Sequence, residues 1–553
     1  MTGCKPYPPL WLVAILLCVL VGGAPAVSAD VTDSLHAPAV FLDGQDPQPD
    51  SAENGESDEP AAPDATSEEP EAVDEPEYYE LFQLLADTLD QVERNYVKEV
   101  SRRELVEAAI RGMLSELDPY TTYIPPKQLE RFRSGVEAEF GGVGVQVTID
   151  QGELRVISPI VGSPAYREGI MAGDVIVEID GTSAQGISID SAVERMQGLP
   201  GTEVTVKVRQ PGAEEPREVT LTREVIRVET VMGDRRREDG SWNWLYDESQ
   251  RIAYIRLTAF GRHTAGELGR VLRELSEDGL GGLVLDLRFN PGGLLSAAIE
   301  VSDMFLSGGR IVSTASRNMP TRSWDARAAG TLPDFPLAIL VNRHSASASE
   351  IVAACLQDHG RAVVVGDRTW GKGSVQNVVE LEAGTSALKL TTADYRRPNG
   401  MNIHRFPGAS EEDDWGVRPD EGYRIELSAS EVTALMAERR RRDIIPRAGE
   451  AADDAETPEP PLADRQLELA FEYVHGRLAE AAETPQPEPA DEQPADEPAV
   501  EPTPPDADEP AADDRPQPEV EPAEEPEGEP AEEPAAEHPE EPQPEQPAEP
   551  SED

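Results

Sequence analysis

Cysteine is scarce in this 553-residue chain, which contains only Cys4, Cys18 and Cys355. The first two lie in an N-terminal stretch that we expect to be removed, so Cys355 has no partner for an internal disulfide and is expected to be a small core residue. No cluster of His, Cys, Asp and Glu has metal-ligand spacing, which argues against a metallopeptidase. We therefore expect neither a disulfide scaffold nor a metal or other cofactor.

Long apolar runs are also missing. The run at residues 10–21 is shorter than the roughly 20 residues that span a bilayer. Lys5 precedes it, and Val27-Ser28-Ala29 follows as a small-residue cleavage site, so residues 1–29 are predicted to be a secretory signal. We expect an exported protein, periplasmic or otherwise extracytoplasmic. Membrane association through an uncleaved signal segment stays open.

Basic residues are few: 48 Lys and Arg stand against 108 Asp and Glu, giving a formal net charge of −60. Residues 30–77 contain sixteen acidic residues and no Lys or Arg, and residues 481–553 contain 27 against Arg515. Both segments are rich in Pro and Ala and cannot bury enough apolar surface to fold, so we predict an acidic linker and an acidic tail that are disordered. Such tails would repel phosphate, and nucleic acid is not an expected partner.

Between the tails, periodicity divides the chain into three parts. Residues 78–130 show two helical patterns, the first with Leu81, Leu85, Leu89 and Val92 on one face, and the second ends at Asp118-Pro119. Residues 131–225 consist of short strands with one helix near residues 188–197, and residues 226–480 alternate buried strands with helices. This pattern predicts a multidomain α/β and α+β protein.

Two turns in the third part carry reactive groups. Ser345, Ser347 and Ser349 lie between an apolar strand at residues 337–341 and a helix. Ser347-Ala-Ser-Glu350 matches a capping box, in which the serine only caps the helix. The same position suits a nucleophile, because the helix N-terminus stabilises negative charge beside the hydroxyl. The pattern alone leaves both interpretations open.

Lys372 lies in the second turn, after a strand at residues 362–365. The segment from Gly366 to Lys372 fits the first seven positions of a phosphate-binding loop. Gly373 replaces the hydroxyl residue that would hold magnesium, and a strand pattern follows where that loop needs a helix. A serine and a lysine at two turns are instead the composition of a Ser–Lys dyad.

These motifs together resemble the carboxyl-terminal processing proteases, tail-specific serine peptidases with a PDZ domain. The resemblance covers residues 78–480 and rests on Ser345-Ala-Ser-Ala-Ser-Glu-Ile, on Gly371-Lys-Gly373 and on Gln376. It implies that Ser347 is the nucleophile, that Lys372, 25 residues later, is the base, and that Gln376 orients the lysine. A crotonase-like α/β peptidase core is the implied fold of residues 226–480.

The resemblance also implies two binding features. Residues 131–225 are similar to a PDZ domain, whose loop at Gly142, Val143 and Gly144 would receive a substrate C-terminus. The Asn-Pro-Gly-Gly stretch would supply one oxyanion donor, from Gly292 or Gly293, and the amide of Ala348 would supply the other. The expected substrates are unfolded proteins or proteins with an exposed C-terminus. Homo-oligomerisation stays open.

A lysine with its ordinary pKa of about 10.4 is protonated near neutrality, so Lys372 can act as a base only if burial and a lack of nearby carboxylates lower that value. Its neighbours in sequence carry no negative charge, and Arg368 is a candidate for a repelling cation. Two rival interpretations remain. One is a Ser-His-Asp hydrolase, although no G-x-S-x-G elbow is present, and the other is a PDZ adaptor whose peptidase core has decayed.

Overall fold

The computed structural model describes residues 40–41, 75–237, 239–445 and 463–483. The predicted signal at residues 1–29, nearly all of the acidic linker at 30–77 and nearly all of the tail at 481–553 lie outside these residues. Within the described part, no helix is both long enough and apolar enough to cross a membrane.

The α-helices of the described residues are α1 (Glu75–Asn95), α2 (Arg102–Ser115), α3 (Pro126–Glu137), α4 (Pro164–Arg167), α5 (Ile189–Met196), α6 (Thr264–Glu277), α7 (Leu295–Asp303), α8 (Ala348–Asp358), α9 (Ala429–Asp443) and α10 (Arg465–Glu483). The first half of the strands comprises β1 (Val40–Phe41), β2 (Thr122–Ile124), β3 (Glu139–Gly142), β4 (Val145–Asp150), β5 (Glu153–Pro159), β6 (Val175–Ile179), β7 (Thr182–Ser183), β8 (Glu203–Arg209), β9 (Arg217–Thr222), β10 (Glu224–Arg227) and β11 (Val231–Met232). The remaining strands are β12 (Arg235–Arg236), β13 (Trp242–Asn243), β14 (Leu245–Asp247), β15 (Ile252–Leu257), β16 (Gly282–Asp286), β17 (Arg310–Ala315), β18 (Arg322–Asp325), β19 (Leu337–Val341), β20 (Val363–Gly366), β21 (Ser374–Leu381) and β22 (Ser386–Arg396).

The two N-terminal helices form as their periodicity predicts, but the apolar face of α1 finds little to pack against. Leu81 is 57% exposed and Leu85 is 46% exposed. Leu114 at the end of α2 is buried. The chain then turns at Asp118 into β2, which pairs antiparallel with β22 of the third part.

Residues 145–222 form a small β domain with the strand order β4-β5-β6-β8-β9. Alternate residues of β8 are buried, because successive side chains of a strand point to opposite faces of the sheet. The core includes Val147, Leu154 and Ile176. Strand β4 lies at the edge of this sheet, and among the described residues it pairs only with β5.

The third part is built on a central sheet of order β11-β15-β16-β19-β20, in which β15, β16, β19 and β20 run parallel. Every residue of β16 and β19 is buried, as expected for parallel strands covered on both faces. Helices α6, α7 and α8 pack on one face and α10 on the other. Since β16 and β19 are neighbours, the turns that follow them meet at one edge of the sheet.

A second sheet, of order β1-β21-β22-β17-β18, supplies the other functional turn. Lys372 comes just before β21, and Gln376 lies within it. The mixed α/β and α+β organisation predicted from the sequence is confirmed.

Candidate active site

The structure distinguishes clearly between the three serines before α8. The Ser345 hydroxyl accepts a hydrogen bond from Asn342 N (2.9 Å) and donates to Leu287 O (2.8 Å). The Ser349 hydroxyl donates to Asn290 O at 2.9 Å. The Ser347 hydroxyl is buried and has no hydrogen-bond partner within the described residues. Only Ser347 therefore keeps its hydroxyl free of a structural task.

The backbone of Ser347 is as unusual as its side chain. Its φ of 56° and ψ of −115° lie in a region that non-glycine residues rarely occupy and that is found mainly where function holds it. The hydroxyl makes no hydrogen bond to an amide of the helix that follows. The Tyr395 hydroxyl lies near it without hydrogen-bond geometry, and the interaction partly offsets the rise that burial causes in the pKa of Tyr395. Ser347 and Glu350 thus form the predicted capping box, but the Ser347 hydroxyl makes no capping hydrogen bond.

Glu350, the other half of the capping box, is fully buried and joins the two turns. One carboxylate oxygen accepts from Ser347 N (2.8 Å) and Lys372 N (2.8 Å). The other accepts from Gly371 N (2.7 Å) and the Thr369 hydroxyl (2.5 Å). Burial raises the pKa of Glu350, while these hydrogen bonds act in the opposite direction. A single side chain thus fixes the backbones of the serine turn and the lysine turn relative to each other.

The turn after β16 lies directly against Ser347. A β-carbon at Gly292 would come within 2.8 Å of Ser347 Cβ and 3.0 Å of Ala348 N, so only glycine fits there. The Gly292 amide itself donates to Asn290 Oδ1 at 2.9 Å. Within the described residues, the amides of Gly293 and Ala348 have no acceptor. Of the two glycines considered from the sequence, Gly293 is the one whose amide is available.

Lys372 is buried, and burial lowers its pKa to about 7, with the charge of Lys389 acting in the same direction. The expectation that no carboxylate lies nearby is wrong, because Glu350 and Asp118 both act to raise this pKa. Burial outweighs them. Arg368 is not the repelling cation, since its guanidinium donates to the carbonyls of Glu411, Asp413 and Trp415.

Gln376 lies fully buried in β21. Its Nε2 donates to Ser374 Oγ (2.9 Å) and Thr391 Oγ1 (3.2 Å). Its Oε1 is buried without a partner in the described part of the chain. The amide therefore presents a free acceptor, the type of group that a lysine needs.

Three residues near Lys372 were not predicted from the sequence to belong to the site, namely Asp118, Tyr120 and Lys389. The Tyr120 ring centroid lies 5.3 Å from Lys372 Nζ, while Asp118 and Lys389 act on its pKa. The sequence marked Asp118 only as the end of a helix and gave no role to Tyr120. Nothing in the local sequence marked Lys389, which lies in an ordinary strand.

The histidines do not form an alternative to Lys372. His344 stacks on Phe289 with ring centroids 5.6 Å apart, and burial lowers its pKa to about 4. His404 lies beside Tyr120 and Phe406. Across the described residues, no histidine donates to or accepts from the Ser347 hydroxyl.

The loop at Gly142, Val143 and Gly144 connects β3 to β4 at the edge of the small β domain. Its carbonyl groups are used internally: Ala165 N donates to Val143 O and Ile160 N donates to Gly144 O. Within the described residues, the amides of Val143 and Gly144 have no acceptor. Gly144 has a φ of 71°, and a β-carbon there would lie 2.3 Å from Ser163 Cβ.

Comparison with known proteins gives three family matches: Peptidase family S41 over residues 251–421, PDZ domain over 155–210, and Activating protease CtpB N-terminal domain over 50–127. The Carboxy-terminal-processing protease of Bartonella bacilliformis is 35% identical over 416 residues, which are 72% of this chain and 89% of the relative. Carboxy-terminal processing protease CtpB of Bacillus subtilis is 33% identical over 63% of this chain and 68% of its own. The solved photosystem II D1 C-terminal processing protease has 31% identity and a TM-score of 0.34, covering 65% of this chain and 97% of that one.

The fold, the site and these matches together define a serine-type peptidase that carries a PDZ domain. The chain belongs to peptidase family S41, among the carboxy-terminal processing proteases. The resemblance deduced from the sequence is thereby confirmed.

Proposed function

We propose that this protein is an endopeptidase that cleaves exported proteins near their C-termini through a Ser347–Lys372 dyad. The observation that carries the proposal is the contrast among the three serines: two hydroxyls are tied to backbone groups, and that of Ser347 is buried, strained and free. The low pKa of Lys372 supports it, because a lysine with a pKa of about 7 is substantially neutral at physiological pH.

The chemistry follows from these groups. Neutral Lys372 takes the hydroxyl proton as Ser347 Oγ attacks the carbonyl carbon of the scissile bond. The carbonyl oxygen becomes an oxyanion, which the amides of Gly293 and Ala348 stabilise. The protonated lysine then donates its proton to the leaving amine, and the peptide bond breaks to leave an acyl-serine. Lys372 next takes a proton from a water molecule as the water attacks the acyl carbon. It returns that proton to Ser347 Oγ as the ester bond breaks, which releases the acid and restores the serine.

Gln376 completes this arrangement in the proposal. Its Oε1 has no partner within the described residues, and we propose that during the reaction it accepts a hydrogen bond from Lys372 Nζ and orients the lysine without adding a negative charge. A carboxylate in the same place would favour the ammonium form and remove the base. Gln376 therefore orients Lys372 without raising the pKa of the lysine.

The PDZ domain is proposed to receive the substrate C-terminus. The unpaired edge of β4 offers backbone groups to an added strand, and the amides of Val143 and Gly144 suit a terminal carboxylate. Gly144 cannot be replaced to test this, because a larger residue would strike Ser163 inside the domain. We also propose that residues 1–29 are a secretory signal that directs export of the protein.

The experiment compares alanine variants of three neighbouring serines. Ser347→Ala should reduce turnover of an unstructured peptide by at least about 10³-fold, as expected for loss of a nucleophile. Ser345→Ala and Ser349→Ala, checked for folding by circular dichroism, should keep turnover within an order of magnitude. Lys372→Ala should match Ser347→Ala, because nucleophile and base act as a unit. Near-normal turnover of Lys372→Ala together with loss in His404→Ala would refute the dyad.

A further inference from the structure

The turn that follows α2 lies inside the peptidase site. Asp118 Oδ1 accepts from Tyr120 N (2.7 Å) and Thr121 N (2.8 Å), and Oδ2 accepts from the Thr121 hydroxyl (2.8 Å). Burial acts to raise the pKa of Asp118, but these hydrogen bonds prevail and lower it. The carboxylate is therefore ionised and can only accept, so the Thr121 hydroxyl must give its proton to it.

The contacts of Asp118 continue to β22 through Thr121. Thr121 Oγ1 accepts from Thr391 N at 3.1 Å, and it lies 3.3 Å from Thr391 Oγ1. Thr391 Oγ1 accepts from Gln376 Nε2 at 3.2 Å. Asp118, Thr121 and Thr391 therefore form a continuous series of contacts that ends at the Gln376 amide.

The hydrogen bonds to Thr391 and Ser374 set the orientation of the Gln376 side-chain amide. Both protons of Nε2 are used, one by Thr391 and one by Ser374. Oε1 is consequently the atom left free and buried. If the amide were flipped, its NH₂ group would face the lysine, and neutral Lys372 could accept from it only with the lone pair that the mechanism needs for the Ser347 proton.

We propose that Asp118, Thr121 and Thr391 are positioning residues, which hold Gln376 in the orientation that leaves Oε1 available to accept from Lys372 in the proposed mechanism. The peptidase site is then completed by a turn more than 200 residues away in the sequence from the nucleophile. Tyr120, from the same turn, covers Lys372 with its ring. This inference rests on the proposed function, since it assigns a task to Gln376 within that mechanism.

The test is a double-mutant cycle between Thr391 and Gln376 in the full-length enzyme. Thr391→Val keeps the shape and the strand preference of the side chain but removes the hydroxyl. We expect it to lower kcat about tenfold, in the range found for outer-shell groups, with KM unchanged. Thr391→Ser, which keeps the hydroxyl, should retain kcat within about twofold. In a Gln376→Ala background, Thr391→Val should cause no further loss.

Several results would overturn the proposal: full kcat in Thr391→Val, a serine variant as slow as the valine variant, an equal loss in the Gln376→Ala background, or no effect of Gln376→Ala at all. Thr121→Val and Thr121→Ser repeat the same comparison at Thr121, which contacts Thr391. If Thr391→Val folds poorly, the two Thr121 variants still test the proposal. Lys372→Ala distinguishes failure of the positioning role from failure of the Ser347–Lys372 dyad. If it is inactive while Thr391→Val is unimpaired, only the positioning role fails, whereas an active Lys372→Ala defeats the dyad itself.

Discussion

At the scale of single residues, the lysine base depends on several opposing contributions. Burial lowers the pKa of Lys372 to about 7, while Glu350 and Asp118 act to raise it. The positive charge of Lys389 acts in the same direction as burial and also lowers the pKa of Lys372. It lies on β22, two residues from Thr391, on the face that carries the Gln376 contact. Because burial lowers the pKa of Lys389 only to about 8, it is still largely protonated near neutrality.

Removing that charge should weaken the base at neutral pH. In Lys389→Met the ammonium form of Lys372 loses a repelling neighbour, so its pKa should rise. The acidic limb of the kcat/KM profile should then move to higher pH, with turnover lower at pH 7 and unchanged near pH 9. The exposed lysine variant Lys98→Met serves as the control. An acidic limb that stays in place or moves to lower pH would contradict the electrostatic role of Lys389.

Residue-level prediction from the sequence was uneven for physical reasons. The order and spacing of Ser347, Lys372 and Gln376 are visible in the sequence. The backbone torsion that distinguishes Ser347 from its neighbours is not, because it depends on how the turn packs against Gly292. Lys389 could not be identified, because a charge acts through space and not through sequence separation.

At the scale of elements, the site is two turns held together by one carboxylate. The chain contains a second capping box, Ser428 with Glu431 at the start of α9, in which the serine hydroxyl does cap its helix. In the first box Glu350 accepts both from Ser347 N and from the lysine turn. The same local motif thus closes a helix in one place and connects the serine turn with the lysine turn in the other.

Glu350→Gln should damage this connection. An amide can accept at only one of its two terminal atoms, so backbone donors that now meet a carboxylate oxygen would face an NH₂ group. Each donor left unsatisfied costs about 1–3 kcal/mol. We expect a lower midpoint in denaturant unfolding and a loss of turnover greater than tenfold. Glu431→Gln, the matched change at an exposed cap, should affect turnover less than twofold. Parental stability and turnover in Glu350→Gln would contradict the role of this carboxylate.

Elements with strong periodicity were predicted well. The strand predicted at residues 337–341 is β19 with the same bounds, and the helix predicted near residues 188–197 is α5. The apolar stripe of α1 predicted a helix correctly but not its surroundings, since Leu81 and Leu85 remain exposed. Periodicity shows which face of a helix is apolar, and the partner of that face is determined by the rest of the fold.

At the scale of the whole molecule, the PDZ domain and the peptidase core are linked by more than a short connection. Ile445, just after α9, is buried, and its amide lies 3.4 Å from Ser158 Oγ in the PDZ domain. Arg439 of α9 pairs with the buried Asp286 at the end of β16. Helix α9 and the residue Ile445 that follows it therefore connect the PDZ domain with the strand that precedes the Gly292–Gly293 turn.

If the PDZ domain captures a terminal carboxylate, amidation of the substrate should impair its use. A peptide with an apolar free C-terminus should bind to the Ser347→Ala enzyme, and its C-terminal amide should bind more weakly, because the carboxylate contacts in the Val143–Gly144 loop are lost. Isothermal titration calorimetry measures both affinities. A pair of peptides that differ only in an internal residue of similar size provides the control. Equal affinity for the free-acid peptide and its C-terminal amide would show that the PDZ domain does not recognise the terminal carboxylate.

The most direct test of the dyad is the pH dependence of Ser347 phosphonylation by a serine-directed phosphonofluoridate, which loses fluoride in the reaction, followed by intact-mass spectrometry and peptide mapping. The account predicts one modified residue, Ser347, and a rate that rises with an apparent pKa near 7 as Lys372 loses its proton. It also predicts that the reaction nearly disappears in Lys372→Ala. Modification of another serine, or a rate that survives in Lys372→Ala but is lost in His404→Ala, would contradict it.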